Sequence, residues 1–196
     1  MTRTQHPIEV ESYRILRSKV NTEALLPRTR AVTERVIHTS ADLDYATDLV
    51  CDEEALSAGQ RALAEGVSLV VDVRMLAAGI TSRQCVVALD LAGNTPVGLT
   101  RSAAGIWVAA AEHPDGAVWA VGNAPTALRE LIRLAADGLV RPALVIGLPV
   151  GFVDAAAAKA ALRDSGLPAL SNRSAKGGAA VAAAAVNALL YGEPVR

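Results

Sequence analysis

Short, continuously apolar runs alternate along the chain with longer stretches whose apolar residues recur every three or four positions. The runs are VSLVVDV (67–73), CVVALDL (85–91), AVWAVG (117–122) and ALVIG (143–147), with PAL (168–170) as a weaker fifth. Runs apolar on both alternating faces predict strands covered on both sides, and their spacing predicts parallel strands joined by right-handed helical crossovers. The helical spacing predicts helices near 7–20, 42–50, 53–65, 101–112, 125–137, 154–164 and 177–191. Pro125 falls where a first helical turn tolerates a missing N–H, and Asp154 is placed to cap the helix that follows it. The expected class is α/β: a three-layer α/β/α arrangement with a mostly parallel, doubly wound sheet, read as a single domain over 1–196.

Composition sharpens this reading. Among 196 residues, 52% are hydrophobic but only 3% aromatic, and 39 are alanine, which favours closely packed helices over an aromatic-filled sandwich. A chain of this length buries about 70% of its extended surface without staples. Nineteen basic against 20 acidic residues, with no basic run, offer nothing that tracks a phosphate backbone, so nucleic acid is not an expected partner. Cys51 and Cys85 show neither CxxC spacing nor a His/Cys cluster, which disfavours disulfides and structural zinc and fits a reducing cytoplasm. The charged N-terminus lacks a secretory apolar segment, and the 15-residue 177–191 stretch is too short for a membrane span, so no membrane partner is expected.

In a doubly wound sheet, ligands bind beyond the carboxyl ends of the strands where strand order reverses. That rule selects Asp72 to Met75, Gly122 to Thr126 and Gly147 to Phe152 as pocket walls. Neither GxGxxG after a strand nor GxxxxGK[ST] is present, so a nucleotide site is unsupported, and no GxSxG elbow marks a hydrolase serine. Three histidines exist, and His6 and His113 each precede a proline. His38 can exchange a proton near neutrality, but taken alone its setting fits a helix cap or a core histidine somewhat better. Glu34 and His38 can share a helix face, but no second His or Cys completes a metal shell. Arg101 carries a guanidinium fork suited to carboxylates, or is an ordinary surface residue. The KGG string at Lys176 either offers backbone N–H groups to an anion or lets helices pack closely.

In order, ERVIHTSADLDYA, VDVRMLAAGI, TRSAAG, AVGNAPTALREL, PALVIGLPVGFVDAAAAKAAL and KGGAAVAAAAVNALL make the chain resemble the precorrin-8X methylmutase family of corrin ring synthesis, from about residue 8 to residue 191. GNAPTAL and PVGFV carry most of the specificity. The resemblance implies an α/β/α homodimer, without metal or cofactor, that binds a tetrapyrrole polycarboxylate in a pocket shared between subunits. It implies an isomerase that shifts a methyl group from ring carbon eleven to carbon twelve, giving hydrogenobyrinate; a related branch acts on the cobalt-containing precursor. The family's catalytic histidine falls on His38 and the arginine of its TRSAA segment on Arg101. Substrate contacts are expected from Arg101, Thr39, Met75, Asn123, Thr126, Gly151, Phe152, Lys176, Gly177 and Gly178, with Leu76 and Val150 as further walls.

Two departures stand out. Where the family carries G-R-K-G-G, this chain has Ser174 and Ala175, one flexible position and one positive charge fewer. Where it often has a threonine-arginine pair, this chain has Thr81, Ser82 and Arg83. A corrinoid binder without turnover, or a flavodoxin-like domain for another anion, are the competing readings.

Overall fold

The computed structural model describes residues 6–93 and 95–192. It opens with helices α1 (Pro7–Lys19), α2 (Pro27–Ser40) and α3 (Tyr45–Asp48), then strand β1 (Leu49–Cys51), α4 (Glu53–Ala64), β2 (Leu69–Val71), α5 (Arg74–Ala78), β3 (Val86–Val87) and α6 (Ala88–Leu91). The second half runs α7 (Arg101–Glu112), β4 (Val118–Val121), α8 (Pro125–Ala136), β5 (Leu144–Gly147), α9 (Ala155–Asp164), β6 (Ala169–Asn172) and α10 (Ala179–Tyr191).

The six strands lie in the order β1-β6-β5-β4-β2-β3, parallel except for β1 at one edge. Side chains alternate cleanly across it. Leu69, Val71, Val118, Ala120, Leu144 and Ile146 face a layer that includes α2, α4 and α10, whereas Val70, Trp119, Val121 and Val145 face α7, α8 and α9. Both faces are covered, which is why the strands read as unbroken apolar runs. The expected three-layer α/β/α class is the observed one.

Several boundaries differ from the sequence reading, each for a local reason. The stretch 42–50, expected as a helix, holds only the short α3 before the chain extends into β1, where Leu49, Val50 and Cys51 pair antiparallel with Asn172, Ser171 and Leu170. α2 escapes the periodicity because two polar residues, Thr33 and Glu34, occupy its buried face beside Ala31, Val32, Val36 and Ile37. The run 85–91 pairs only at Val86 and Val87 and then coils into α6. There the absence of a side chain on Gly105 lets α7 sit against the Ala88 carbonyl, from which an added Cβ would lie 2.3 Å away. Asp154 precedes α9 in a left-handed conformation, φ 64°, without a side-chain cap bond, because its carboxylate takes the Arg129 guanidinium at 2.7 and 3.0 Å. α10 begins at Ala179, so Gly177 and Gly178 form the turn before it rather than its first residues. Leu76, expected in a pocket wall, is fully buried in the core.

Candidate active site

Strand order reverses between β2 and β4: the chain leaves β2 toward β3 on one side and β4 toward β5 on the other. The loops after these strands meet at Asp72, which is 1% exposed. Its carboxylate accepts from the backbone N–H groups of Gly122 (3.2 Å), Asn123 (2.7 Å) and Ala124 (3.2 Å). Burial pushes this carboxyl above its ordinary value even though those three donors pull the other way. The N-terminal end of α8, a natural anion cradle, therefore already holds an anion of the protein itself. The Asn123 N–H is thereby taken, and of this expected substrate contact only the exposed side chain remains for a ligand. Thr126 is exposed one residue after Pro125 and shares a 2.8 Å hydroxyl contact with Thr100, the N-cap of α7, which puts Arg101 beside it.

The loops after β5 and β6 interlock next to this crevice. Gly151 donates from its N–H to the Ala175 carbonyl (3.2 Å), and Gly178 donates to the Leu148 carbonyl (2.9 Å). Gly177 and Gly178 sit at φ 151° and 127°. A Cβ on Gly177 would meet the Leu148 carbonyl oxygen at 2.3 Å, so close backbone approach excludes any side chain there. One on Gly122 would meet the Gly178 carbonyl at 3.1 Å. Phe152 is fully exposed on the same loop as Gly151, and Met75, at 72% exposure, projects from the first turn of α5.

Lys176 does not present a free cation. Its ammonium pairs with Asp42 (2.7 Å) and Asp44 (2.6 Å), which hold it above the usual ammonium range. The same pairs tie the glycine turn to the segment that follows α2, four and six residues beyond His38. Thr39, next in α2, is exposed.

His38 lies in the last turn of α2. Its Nδ1 is 2.8 Å from the Ser12 hydroxyl on α1, and its ring stacks on Tyr13 with centroids 4.9 Å apart and planes inclined by 12°. With Nδ1 engaged, Nε2 is the nitrogen left to meet a ligand. Burial lowers the imidazole pKa, Glu9 opposes the shift and Arg35 adds to it, so the ring is chiefly neutral at pH 7. Neither a helix cap nor a core histidine describes this half-buried ring, whose one nitrogen is fixed from a neighbouring helix. An open, mostly apolar groove of about 460 Å³ runs along α1, lined by Pro7, Ile8, Glu11, Ser12 and Ile15.

The Glu34 that shares a helix with His38 serves the frame. Burial pushes it up, but hydrogen bonds from Arg17, Thr22 and Arg30 outweigh that and leave the carboxyl below its ordinary range. Arg83, where the family often has its pair, donates to the carbonyls of Leu63 and Val67. Burial raises both cysteine thiols, Cys51 to about 12, so neither supplies a thiolate near neutrality.

The structure thus brings Lys176, Gly177, Gly178, Gly151 and Asn123 to interlocked loops, with Thr126 and Arg101 further along the same rim, and His38 lies four residues before Asp42, which pairs with Lys176. Sequence reasoning missed Ser12 and Tyr13, which no local signal links to His38 across 26 residues. It also missed Lys159 of α9, although that lysine falls on the buried face with Ala155, Ala158 and Leu162, at helical spacing.

Known proteins with similar sequences and structures agree on one family. The family model described as precorrin-8X methylmutase matches residues 7–192. The cobalt-precorrin-8 methylmutase of Synechocystis sp. is 36% identical over 207 residues, covering 95% of each chain. The precorrin-8X methylmutase of Pseudomonas aeruginosa is 38% identical over 193 residues, covering 91% of each. The crystal structure of the precorrin-8X methylmutase from Thermus thermophilus superimposes with a TM-score of 0.84 at 36% identity, covering 94% of this chain and 96% of that one.

Proposed function

Because the chain belongs to the precorrin-8X methylmutase family, a family of isomerases, we propose that it moves a methyl group from carbon eleven to carbon twelve of a precorrin-8X tetrapyrrole, giving hydrogenobyrinate. The observation that carries the assignment to particular residues is the setting of His38: one ring nitrogen held by Ser12, the ring fixed by Tyr13, and the other nitrogen left for a ligand.

A migration within one molecule breaks one carbon–carbon bond and forms another without net gain or loss of atoms. It therefore needs no nucleophile from the protein, only a held macrocycle and control of its protonation. His38 is the group suited to hydrogen-bond the macrocycle and to pass a proton to or from it, a contribution of about 10²–10⁴ in rate. Arg101 is the cation for a substrate carboxylate, since Lys176 is already paired with two aspartates. Thr39, Thr126 and the Asn123 side chain supply exposed polar contacts along the rim, and Gly178 and Gly151 allow the macrocycle to approach the backbone, whereas Gly177, expected as a contact, packs against the Leu148 and Pro149 carbonyls instead.

A tetrapyrrole polycarboxylate needs the upper end of the roughly 300–1,000 Å³ range of ligand sites, and the groove of about 460 Å³ along α1 includes Ser12 but none of the substrate contacts named above. Met75 and Phe152 point their apolar groups into solvent in one chain. Both features support a site completed by a second copy of the chain, with these residues as walls between subunits. Cobalt, in the branch that uses it, would arrive within the substrate.

The test is an absorbance assay of purified protein with precorrin-8X and cobalt-precorrin-8, together with light scattering. Conversion by a species of about twice 20.2 kDa is expected. Tight binding of both forms without conversion would mean a binder, and a monomer that turns over would remove the shared site.

A further inference from the structure

Lys159 is 0% exposed, and no step of the reaction above uses it. Its ammonium donates to the Asn172 side-chain oxygen (2.7 Å) and to the Lys176 carbonyl (2.6 Å). Asn172, itself buried, donates in turn to Asp48 (2.7 Å), to the Ser174 hydroxyl (3.2 Å) and to the same Lys176 carbonyl (3.0 Å). Asp48 accepts from the backbone N–H groups of Arg173 (3.0 Å) and Ser174 (2.8 Å) and from the Ser174 hydroxyl (2.6 Å).

Side chains from α3, β6 and α9 thus converge on one target, the polar atoms of the turn between β6 and α10. Burying an ammonium is costly, and apolar replacement of buried charged groups is often neutral or stabilising, so stability alone gives no reason for a lysine here. Burial pushes it down to about 8, against the pull of Asp48 and with the help of Arg163. What the lysine does secure is geometry. Its bond to the Lys176 carbonyl fixes the residue before Gly177, whose backbone already packs on the Leu148 and Pro149 carbonyls. On the outer side of the same residue, the Lys176 ammonium holds Asp42 and Asp44, four and six positions beyond His38.

We propose that Lys159 is a positioning residue for substrate binding, which fixes the Lys176–Gly178 segment against the end of α2 that carries His38. This rests on the methylmutase reading for its functional consequence, but the fixing of the turn stands without it. In this chain the network also explains what Ser174 does where the family has glycine: its hydroxyl and N–H both bind Asp48, so the lost flexibility is replaced by an added anchor.

The experiment compares Lys159→Met and Ser174→Ala with the wild-type chain by two readouts. Hydrogen exchange of the 173–178 amides without ligand should quicken in both, more in Lys159→Met. With precorrin-8X, KM should rise about tenfold or more in Lys159→Met, the scale of one charge-assisted hydrogen bond, while kcat stays within about threefold. Ser174→Ala should shift KM in the same direction by less. Wild-type exchange in Lys159→Met, or faster exchange with unchanged KM, overturns the proposal. If Lys159→Met does not fold, an unchanged KM in Ser174→Ala overturns it. A wild-type chain that converts no tetrapyrrole defeats the methylmutase reading instead, and the exchange measurement then decides alone whether Lys159 fixes the turn.

Discussion

The crevice at Asp72 and the imidazole of His38 treat charge in opposite ways. At Asp72 a buried carboxylate satisfies three backbone donors at once, and nothing is left over for a ligand. At His38 one nitrogen is held and the other is not used, in a ring burial has made mostly neutral. The general rule for doubly wound sheets locates the crevice but not the chemistry: the switch point is a closed internal anchor, and the histidine proposed to handle the proton lies in the helical layer beside it.

Substitutions that open the anchor or disable the ring would break that contrast. The largest expected effect is from His38→Ala, a loss of about 10²–10⁴ in kcat with the fold retained, read by the absorbance assay beside a thermal melt. Turnover within tenfold of wild type would remove His38 from the reaction. Next is Asp72→Ala, which leaves Gly122, Asn123 and Ala124 without their acceptor. It should cost roughly 3 kcal/mol, or about 6–12 °C in Tm for a chain of this size. A melt unchanged within 2 °C would mean that water replaces the carboxylate and that the cradle is open after all.

The contrast can also be sharpened by titration. His38 has its folded pKa below the unfolded value of about 6.5, so the folded state binds fewer protons in that window. Its contribution to stability is present above pH 6.5 and is lost as pH falls through the folded pKa. Ring NMR signals should titrate with a midpoint below 6.5, and if the cation is the active form, kcat/KM should fall as pH rises through that midpoint. A midpoint at or above 6.5 would contradict the burial argument. The smallest effect is expected from Ser12→Ala, a loss of about fivefold in kcat/KM from one neutral hydrogen bond, measured at constant pH. No change would show that Tyr13 alone orients the ring.

Much of this molecule is legible in its sequence because burial on both faces leaves a simple record. β2, β4 and β5 announce themselves as unbroken apolar runs, and α8 starts at a proline suited to its first turn. α2 and β1 are less legible: a buried Glu34 neutralised by two arginines disguises one, and an edge pairing with β6 creates the other. His38 and the glycine turn carry family motifs, whereas Ser12 and Tyr13 meet His38, and Lys159 meets Asn172 and Lys176, only through folding.

The sequence by itself determined the layered class and the family, because apolar periodicity and a handful of motif strings are local properties. Tertiary structure alone decided that the Asn123 backbone and the Lys176 ammonium are already engaged by aspartates. It also decided that Met75 and Phe152 face solvent in one chain, and that a buried lysine holds the glycine turn. Whether a charged or polar group is free for a ligand depends on which partner folding brings within about 3 Å, and nothing local to that residue encodes it.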